Sequence, residues 1–252
     1  MIVKTHAIVL RTRNLRETSK FLTLYTESFG KLTVVAKGVR QIKSRLAGIL
    51  EPFNIISVVL YKKENRDVHY ISSAEIVEPM WRLTTNFDAL TTTFAVAELT
   101  DVTMHGEEKN PLMFTLLADT FRQLALHENT YPMTFLLFQL RLITLLGYGL
   151  DIASCIICGK KLAGESNVYF HIPEGGLSCG ECEMRLEKGT KLSSFAYQCL
   201  ITLKNVSGDV PDPLIGENER EIAELHGVLN AYIIHHSQSK RVLRSGAMMC
   251  VS

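Results

Sequence analysis

The sequence contains no apolar run long enough to cross a membrane. Its most apolar segment, residues 133–146, has ten apolar residues in fourteen and includes Arg141, a composition that predicts a buried helix. The first ten residues include Lys4 and His6 and lead to no small-residue cleavage site, so we expect no signal peptide. We therefore expect a cytoplasmic protein without a membrane partner, in which cysteines stay reduced.

Several motifs of common enzyme classes are also missing. There is no G-x-x-x-x-G-K-[S/T] phosphate loop, no G-x-G-x-x-G nucleotide fingerprint and no H-E-x-x-H metalloprotease helix. The chain has no internal repeat and no low-complexity tract. These absences favour a binding protein over an enzyme, and we expect no catalytic residues.

What the sequence does have is positive charge concentrated near its N-terminus. The first fifty residues contain ten lysines and arginines and two acidic residues, although the whole chain has a net charge of only +1. The remaining residues therefore carry a net charge of −7. A basic segment on an otherwise acidic protein predicts a polyanionic partner, and a solvated basic face is the alternative.

The first eighty residues have the pattern of an all-β domain. Short apolar or alternating runs are separated by glycine and proline, and they lie at residues 3–10, 21–25, 32–36, 55–61 and 68–77. Five strands, with the longest connection between the third and the fourth, predict a small closed barrel of the oligonucleotide-binding (OB) type. An SH3-like barrel or half of a β-sandwich is the alternative.

After Pro79 the pattern becomes helical, so we expect a multidomain α+β protein. Pro111 and Pro132 each lie near an expected first helical position. Further helices are expected near residues 193–204 and 217–237. The predicted domains are an OB-fold nucleic-acid-binding domain at 1–80, a mainly helical domain at 81–150 and 191–252, and a metal-binding insert at 151–190.

Four cysteines form two C-x-x-C pairs, and this spacing predicts a metal site. Cys155 and Cys158 form the first pair, and Cys179 and Cys182 form the second. Four thiolates match the tetrahedral preference of Zn²⁺ and leave no position open for water, so we expect one structural zinc ion. His171 lies between the pairs but is not needed as a ligand, and Cys199 and Cys250 are expected to pack elsewhere.

The basic residues fall on the segments with which OB barrels bind oligonucleotides. Three are expected on the first inter-strand loop, two beside the second and third strands, and four at or after the end of the third strand. The candidate DNA-binding residues are Arg11, Arg13, Arg16, Lys20, Lys31, Lys37, Arg40, Lys43 and Arg45. Phe21, Tyr25 and Phe29 are candidates for stacking on bases, and packing in the barrel core is the alternative.

Three segments of the sequence resemble the bacterial RecO family of DNA repair proteins. The first comprises residues 17–19, the run Gly-Lys-Leu-Thr-Val-Val-Ala-Lys-Gly-Val-Arg at 30–40, and residues 46–53. The second is Leu-Leu-Gly-Tyr-Gly-Leu-Asp at 145–151, followed by the cysteine pairs and Gly175-Gly176. The third is the basic motif at 240–245. These segments occur in the family's order and extend over most of the chain.

The resemblance implies a recombination mediator with an OB domain, a helical domain and a zinc insert, associated with the bacterial nucleoid. Such proteins bind single- and double-stranded DNA and anneal complementary strands. With the partner RecR they help to load the RecA recombinase onto strands coated by single-stranded-DNA-binding protein, whose acidic C-terminal tail they recognise. The residues alone leave two alternatives: a zinc-ribbon OB protein that binds RNA or the ribosome, and a scaffold that docks an acidic peptide.

Overall fold

A computed structural model describes residues 1–63, 66–128, 130–186, 188–206, 208 and 218–237. Contacts divide the chain into two compact units, Met1–Leu126 and His127–Ser252. Cys250 and the basic motif at 240–245 lie outside the described residues. The domain division expected from the sequence stays a prediction.

The first unit begins with a closed five-stranded barrel. Its strands are β1 (Ile2–Leu15), β2 (Ser19–Thr26), β3 (Gly30–Ala36), β4 (Ile55–Tyr61) and β5 (Val68–Glu78). The strand order is β1-β2-β3-β5-β4, and β4 pairs with β1 to close the barrel. Strands β3 and β5 pair in parallel, whereas the other neighbours pair antiparallel. The OB-like barrel predicted from the sequence is therefore confirmed.

Alternate residues of the strands fill the barrel interior, as the period of two requires. The buried core includes Ala7, Val9, Leu22, Leu24, Leu32, Val34, Ala36, Ile56, Val58 and Leu60. Burying each Val, Leu or Ile side chain contributes about 1.5–3 kcal/mol. The residues between them in sequence point outward, and these outward positions carry the charged and aromatic side chains considered below.

The expected position of two arginines needs correction. Arg11 and Arg13 were expected on the first inter-strand loop, but both lie within β1, paired with Thr23 and Phe21 of β2. Strand β1 continues beyond its apolar run and stays paired with β2 after a register shift between Val9 and Arg11, with Arg11 and Arg13 facing outward. The turn itself contains Arg16, whose φ is +55°.

The connection between β3 and β4 is firmly attached to the barrel. Val39, Leu50 and Phe53 are buried along it. The backbone N–H of Arg40 donates a hydrogen bond to the carbonyl of Thr18, at 3.0 Å. The apolar anchors hold the segment against the barrel, and the cations between them point into solvent.

Two helices complete the first unit: α1 (Phe87–Thr103) and α2 (Pro111–Leu126). The side chain of Asn86 caps α1 by accepting hydrogen bonds from two backbone N–H groups. Arg122 of α2 forms a two-pronged ion pair with Glu78 of β5. The segment between the helices contacts the barrel through Glu107, which accepts a 2.6 Å hydrogen bond from the buried His69.

The second unit contains α3 (Tyr131–Leu145), α4 (Ser194–Lys204) and α5 (Glu219–His236). A small sheet precedes α4, with strands β6 (Asp151–Cys155), β7 (Val168–His171), β8 (Gly176–Cys179) and β9 (Thr190–Leu192) in the order β6-β8-β7-β9. Strands β7 and β8 pair antiparallel as a hairpin, and its turn includes Gly175. A Cβ atom on Gly175 would lie 2.7 Å from the Tyr232 hydroxyl oxygen, so the sheet approaches α5 closely here. None of the described helices is long and apolar enough to span a bilayer.

Candidate nucleic-acid interface and metal centre

Two short turns bring the four cysteines of the C-x-x-C pairs together. The first turn follows β6, where the N–H of Gly159 donates to the carbonyl of Cys155 at 2.9 Å. The second follows β8, where the N–H of Cys182 donates to the carbonyl of Cys179 at 3.0 Å. Strands β6 and β8 are neighbours in the sheet, so the two turns lie side by side.

The sulfur atoms are arranged as the ligands of one metal ion. All four Sγ atoms lie within 4.8 Å of one another, and those of Cys158 and Cys179 are 3.9 Å apart. A tetrahedral ion with metal–sulfur bonds of about 2.3 Å requires sulfur–sulfur distances of about 3.8 Å. The four thiols are free of disulfide bonds, and Cys158 is the exposed member of the set. The cysteine set can therefore hold a metal ion.

The thiols influence one another's protonation. Burial raises the pKa of Cys182 to about 12, and hydrogen bonds to the neighbouring cysteines act in the same direction. Burial also raises the pKa of Cys155, but hydrogen bonds from backbone groups of Cys158 and Cys179 outweigh it and lower that pKa to about 6. A cation bound among the sulfurs displaces the remaining thiol protons.

Ser178, between the two cysteine turns, belongs to a serine motif that was not predicted from the sequence. Residues 176–180 have the spacing G-x-S-x-G, which in some hydrolases marks a nucleophilic serine on an exposed turn from strand to helix. Here Ser178 is fully buried within β8, and its Oγ hydrogen-bonds to Nε2 of the buried His171 at 2.8 Å. The serine and the histidine therefore belong to the packing of the cysteine module.

The nine candidate DNA-binding residues separate into two groups. Seven are exposed on the barrel and on the connection after β3, and they are Arg11, Arg13, Arg16, Lys37, Arg40, Lys43 and Arg45. Within the described residues, none of these seven forms an ion pair. Arg40 also donates to the backbone carbonyl of Arg16 at 2.9 Å, which joins the β1–β2 turn to the segment after β3. We call these seven residues the basic surface.

The other two candidates are partly buried and face acidic side chains. Lys20 lies 3.0 Å from Oε1 of Glu51, and Lys31 lies 3.1 Å from Oδ1 of Asp101. Both lysines therefore have charge partners within the first unit.

The candidate stacking residues also differ in their surroundings. Tyr25 is buried, and its hydroxyl group donates to the sulfur of Met104 at 3.7 Å. Burial raises the pKa of Tyr25 to about 12. Phe29 is partly buried against the barrel core. Phe21 is half-buried, and the guanidinium carbon of Arg13 lies 4.7 Å from its ring centre.

Lys63 and Tyr70, which lie near the basic surface, were not predicted as site residues. The ammonium nitrogens of Lys37 and Lys63 lie 4.9 and 5.1 Å from the ring centre of Tyr70, so two cations converge on one ring. Lys63 follows β4 in a segment that contains Lys62 and Arg66 as well. The loop between the fourth and fifth strands is an oligonucleotide-binding loop of OB folds, so this basic run was a usable signal.

Comparisons with known proteins agree with this architecture. The family model described as Recombination protein O N terminal matches residues 1–80, and that described as Recombination protein O C terminal matches residues 84–244. A DNA repair protein RecO from Prosthecochloris aestuarii is 31% identical over 251 residues, which cover 96% of this chain and 95% of the relative. The RecO protein from Chloroherpeton thalassium is 32% identical and covers 97% of this chain and 96% of its own length. With these matches, the chain belongs to the RecO family of DNA repair proteins.

Proposed function

We propose that this protein is a recombination mediator that binds and anneals DNA through the basic surface. The observation that carries the proposal is the exposure of seven cations on strand β1 of an OB-like barrel, on its β1–β2 turn and on its β3–β4 connection. Within the described residues these cations have no acidic partners, so phosphate groups can supply the missing negative charge.

The mechanism rests on contacts to phosphate. Lysine and arginine contacts to the backbone position a strand but do not read its sequence. Neutralising the phosphates lowers the repulsion between two complementary strands, while their base edges stay free to pair. The β3–β4 connection, anchored by the buried Val39 and Leu50, presents the exposed Arg40 and Lys43 to such a strand.

We further propose that the cysteine set holds one structural zinc ion. Zinc supplies a cross-link between the two cysteine turns, which the short strands of the module cannot provide by their own packing. Four sulfur donors at tetrahedral spacing fit this ion. The cysteines hold the module, and the DNA contacts belong to the other unit of the chain.

The proposed partners follow from membership of the RecO family. They are single- and double-stranded DNA, RecR, and the acidic C-terminal tail of single-stranded-DNA-binding protein, with RecA loaded indirectly. What supports the DNA partner independently is the basic surface. What supports the protein partners is family membership.

The experiment is a charge reversal at two members of the basic surface. We expect Lys37→Glu with Arg40→Glu to abolish binding and annealing of labelled oligonucleotides while leaving the fold and the metal content intact. The matched control is Arg220→Glu with Lys188→Glu, which changes the net charge equally in the second unit and retains binding. Unchanged DNA affinity in the first double variant would show that the basic surface is not the DNA site.

Competition between single-stranded DNA and RNA of equal sequence tests the RNA-binding alternative.

A further inference from the structure

A row of paired residues crosses the outer face of the barrel beside the basic surface. Arg13 of β1 lies opposite Phe21 of β2, and Phe21 lies opposite Val35 of β3. Val35 pairs with Tyr70 of β5, and Tyr70 pairs with Tyr61 of β4. Directly paired residues project from the same face of a sheet. We call this set, Arg13–Phe21–Val35–Tyr70–Tyr61, the outer row.

The outer row faces away from the barrel core. Its neighbours in sequence, Leu22, Val34 and Leu60, all belong to the interior cluster. Because side chains alternate along a strand, the row residues must point outward. Phe21 and Tyr70 are partly exposed and Tyr61 is exposed. The barrel therefore presents aromatic rings on its outer surface.

Cations accompany the two half-buried rings of the row. Arg13 lies 4.7 Å from the ring centre of Phe21, and Lys37 and Lys63 approach that of Tyr70. Val35 separates the two rings in the register, and none of the three cations forms an ion pair among the described residues, so all three are available to an anionic ligand.

At the opposite end of the same face, side chains of the first unit already have partners within that unit. Tyr25, four residues after Phe21 on β2, is buried and donates a hydrogen bond to the sulfur of Met104. Lys31, which pairs with Tyr25 across the sheet, is held by Asp101. Lys62, which approaches the ring of Phe29, forms an ion pair with Glu107. Helix α1 and the segment after it thus account for these side chains, whereas the cations beside Phe21 and Tyr70 have no acidic partner among the described residues.

We propose that the outer row is a subsite for unpaired nucleotides. Bases of a single strand stack on Phe21 and Tyr70, and the adjacent phosphates contact Arg13, Lys37 and Lys63. A base within a duplex is already stacked on its neighbours and cannot reach these rings, so the subsite favours single strands over double strands. This inference rests on the proposed function, because it adds base contacts to a surface that otherwise contacts phosphate.

The test compares an oligothymidylate with an abasic oligomer of the same length, which keeps the phosphates but has no bases. We expect the protein to bind the oligothymidylate about fivefold or more tightly, the least that one stacked base contributes. Tyr70→Leu and Phe21→Leu should each reduce this ratio toward one, whereas Tyr70→Phe retains it. Lys63→Ala should weaken binding of both oligomers by the same factor.

Trp81→Leu is the matched control, because Trp81 is an exposed ring with Arg82 5.7 Å from its centre but lies outside the outer row. It should leave the ratio unchanged. Melting temperatures confirm that each variant is folded. If folded Tyr70→Leu and Phe21→Leu both keep the wild-type ratio, the stacking inference is wrong while DNA binding by the basic surface stands. If the wild-type protein binds neither oligomer, the proposed function fails as well.

Discussion

The ammonium group of Lys31 lies 3.1 Å from the carboxylate of Asp101, and both side chains are mostly buried. This contact joins β3 of the barrel to the last turns of α1. Lys31 was a candidate DNA-binding residue, but it pairs with a residue seventy positions later in the chain. The structure therefore separates cations that stabilise the first unit from cations that are available to a ligand.

Lys31→Ala is expected to lower stability without changing DNA affinity. Removing the lysine deletes its charged contact with Asp101, an interaction that contributes about 1.5–3 kcal/mol to the free energy of unfolding. Urea unfolding measures the stability, and fluorescence anisotropy measures binding. Lys43→Ala is the matched comparison, with the opposite pattern of unchanged stability and weaker binding, because Lys43 is exposed and has no ion pair among the described residues. A large loss of DNA affinity in folded Lys31→Ala would contradict this prediction and show that Lys31 contacts DNA.

The metal prediction concerns the cysteine module. We expect one zinc ion per chain after purification under reducing conditions, measured by elemental analysis. Cys179→Ser with Cys182→Ser should release the ion and unfold residues 151–190 locally, because two ligands cannot hold the two turns together. Hydrogen exchange measures that local unfolding. Cys199→Ala is the control, since Cys199 is buried in α4 and should not affect the metal. Protein that contains no zinc contradicts the prediction.

A buried histidine makes the second unit sensitive to acid. Burial lowers the pKa of His226 to about 3, and its Nδ1–H donates to Oε1 of Gln139 at 2.8 Å. The unfolded chain, with an ordinary histidine pKa of about 6.5, binds the proton more readily than the folded protein. Stability is therefore fully present above about pH 6.5 and falls toward pH 3, by at most about 1.4 kcal/mol per pH unit from this group.

Unfolding by urea at pH 7 and pH 5 tests the histidine. His226→Gln keeps a donor for Gln139 but cannot titrate, so we expect it to lose less stability between the two pH values than the wild-type protein. The carboxylates contribute equally to both proteins, so the difference isolates His226. An identical pH dependence in the two proteins would rule out this role.

Gly30 and Gly106 form a matched pair for testing the contact between the barrel and the α1–α2 connection. Both have positive φ, +65° and +66°. A Cβ atom on Gly30 would lie 2.1 Å from the carbonyl oxygen of Glu108, whereas one on Gly106 meets nothing within 4 Å. Gly106→Ala should therefore cost only the backbone strain, about 1–2 kcal/mol. Gly30→Ala should cost clearly more by thermal unfolding, and equal losses would show that the connection does not press on β3.

The parts of this structure that local patterns determine were predictable. Alternating apolar residues predicted the barrel strands, and the spacing of Cys155–Cys158 and Cys179–Cys182 predicted the sulfur cluster. The extension of β1 through Arg13 was missed because its outward residues at the barrel rim are charged, and the apolar run ends at Leu10.

Contacts between distant segments were beyond the reach of these patterns. The pairing of Lys31 with Asp101 depends on how α1 packs on the barrel. The position of Tyr70 beside Lys37 depends on the parallel pairing of β3 with β5, which closes the barrel across more than thirty residues of sequence. No local periodicity encodes either relationship. The separation of the basic surface from Lys20 and Lys31, and the outer row itself, could therefore be recognised only from the fold.

The salt dependence of single-stranded DNA affinity tests the central claim most directly. If five members of the basic surface contact phosphates, the logarithm of the association constant falls with the logarithm of salt concentration at a slope near −3.5, about −0.7 per contact. Lys37→Ala with Arg40→Ala should bring the slope to about −2.1. A wild-type slope near zero, or a slope that the double variant leaves unchanged, would contradict a DNA site on the barrel.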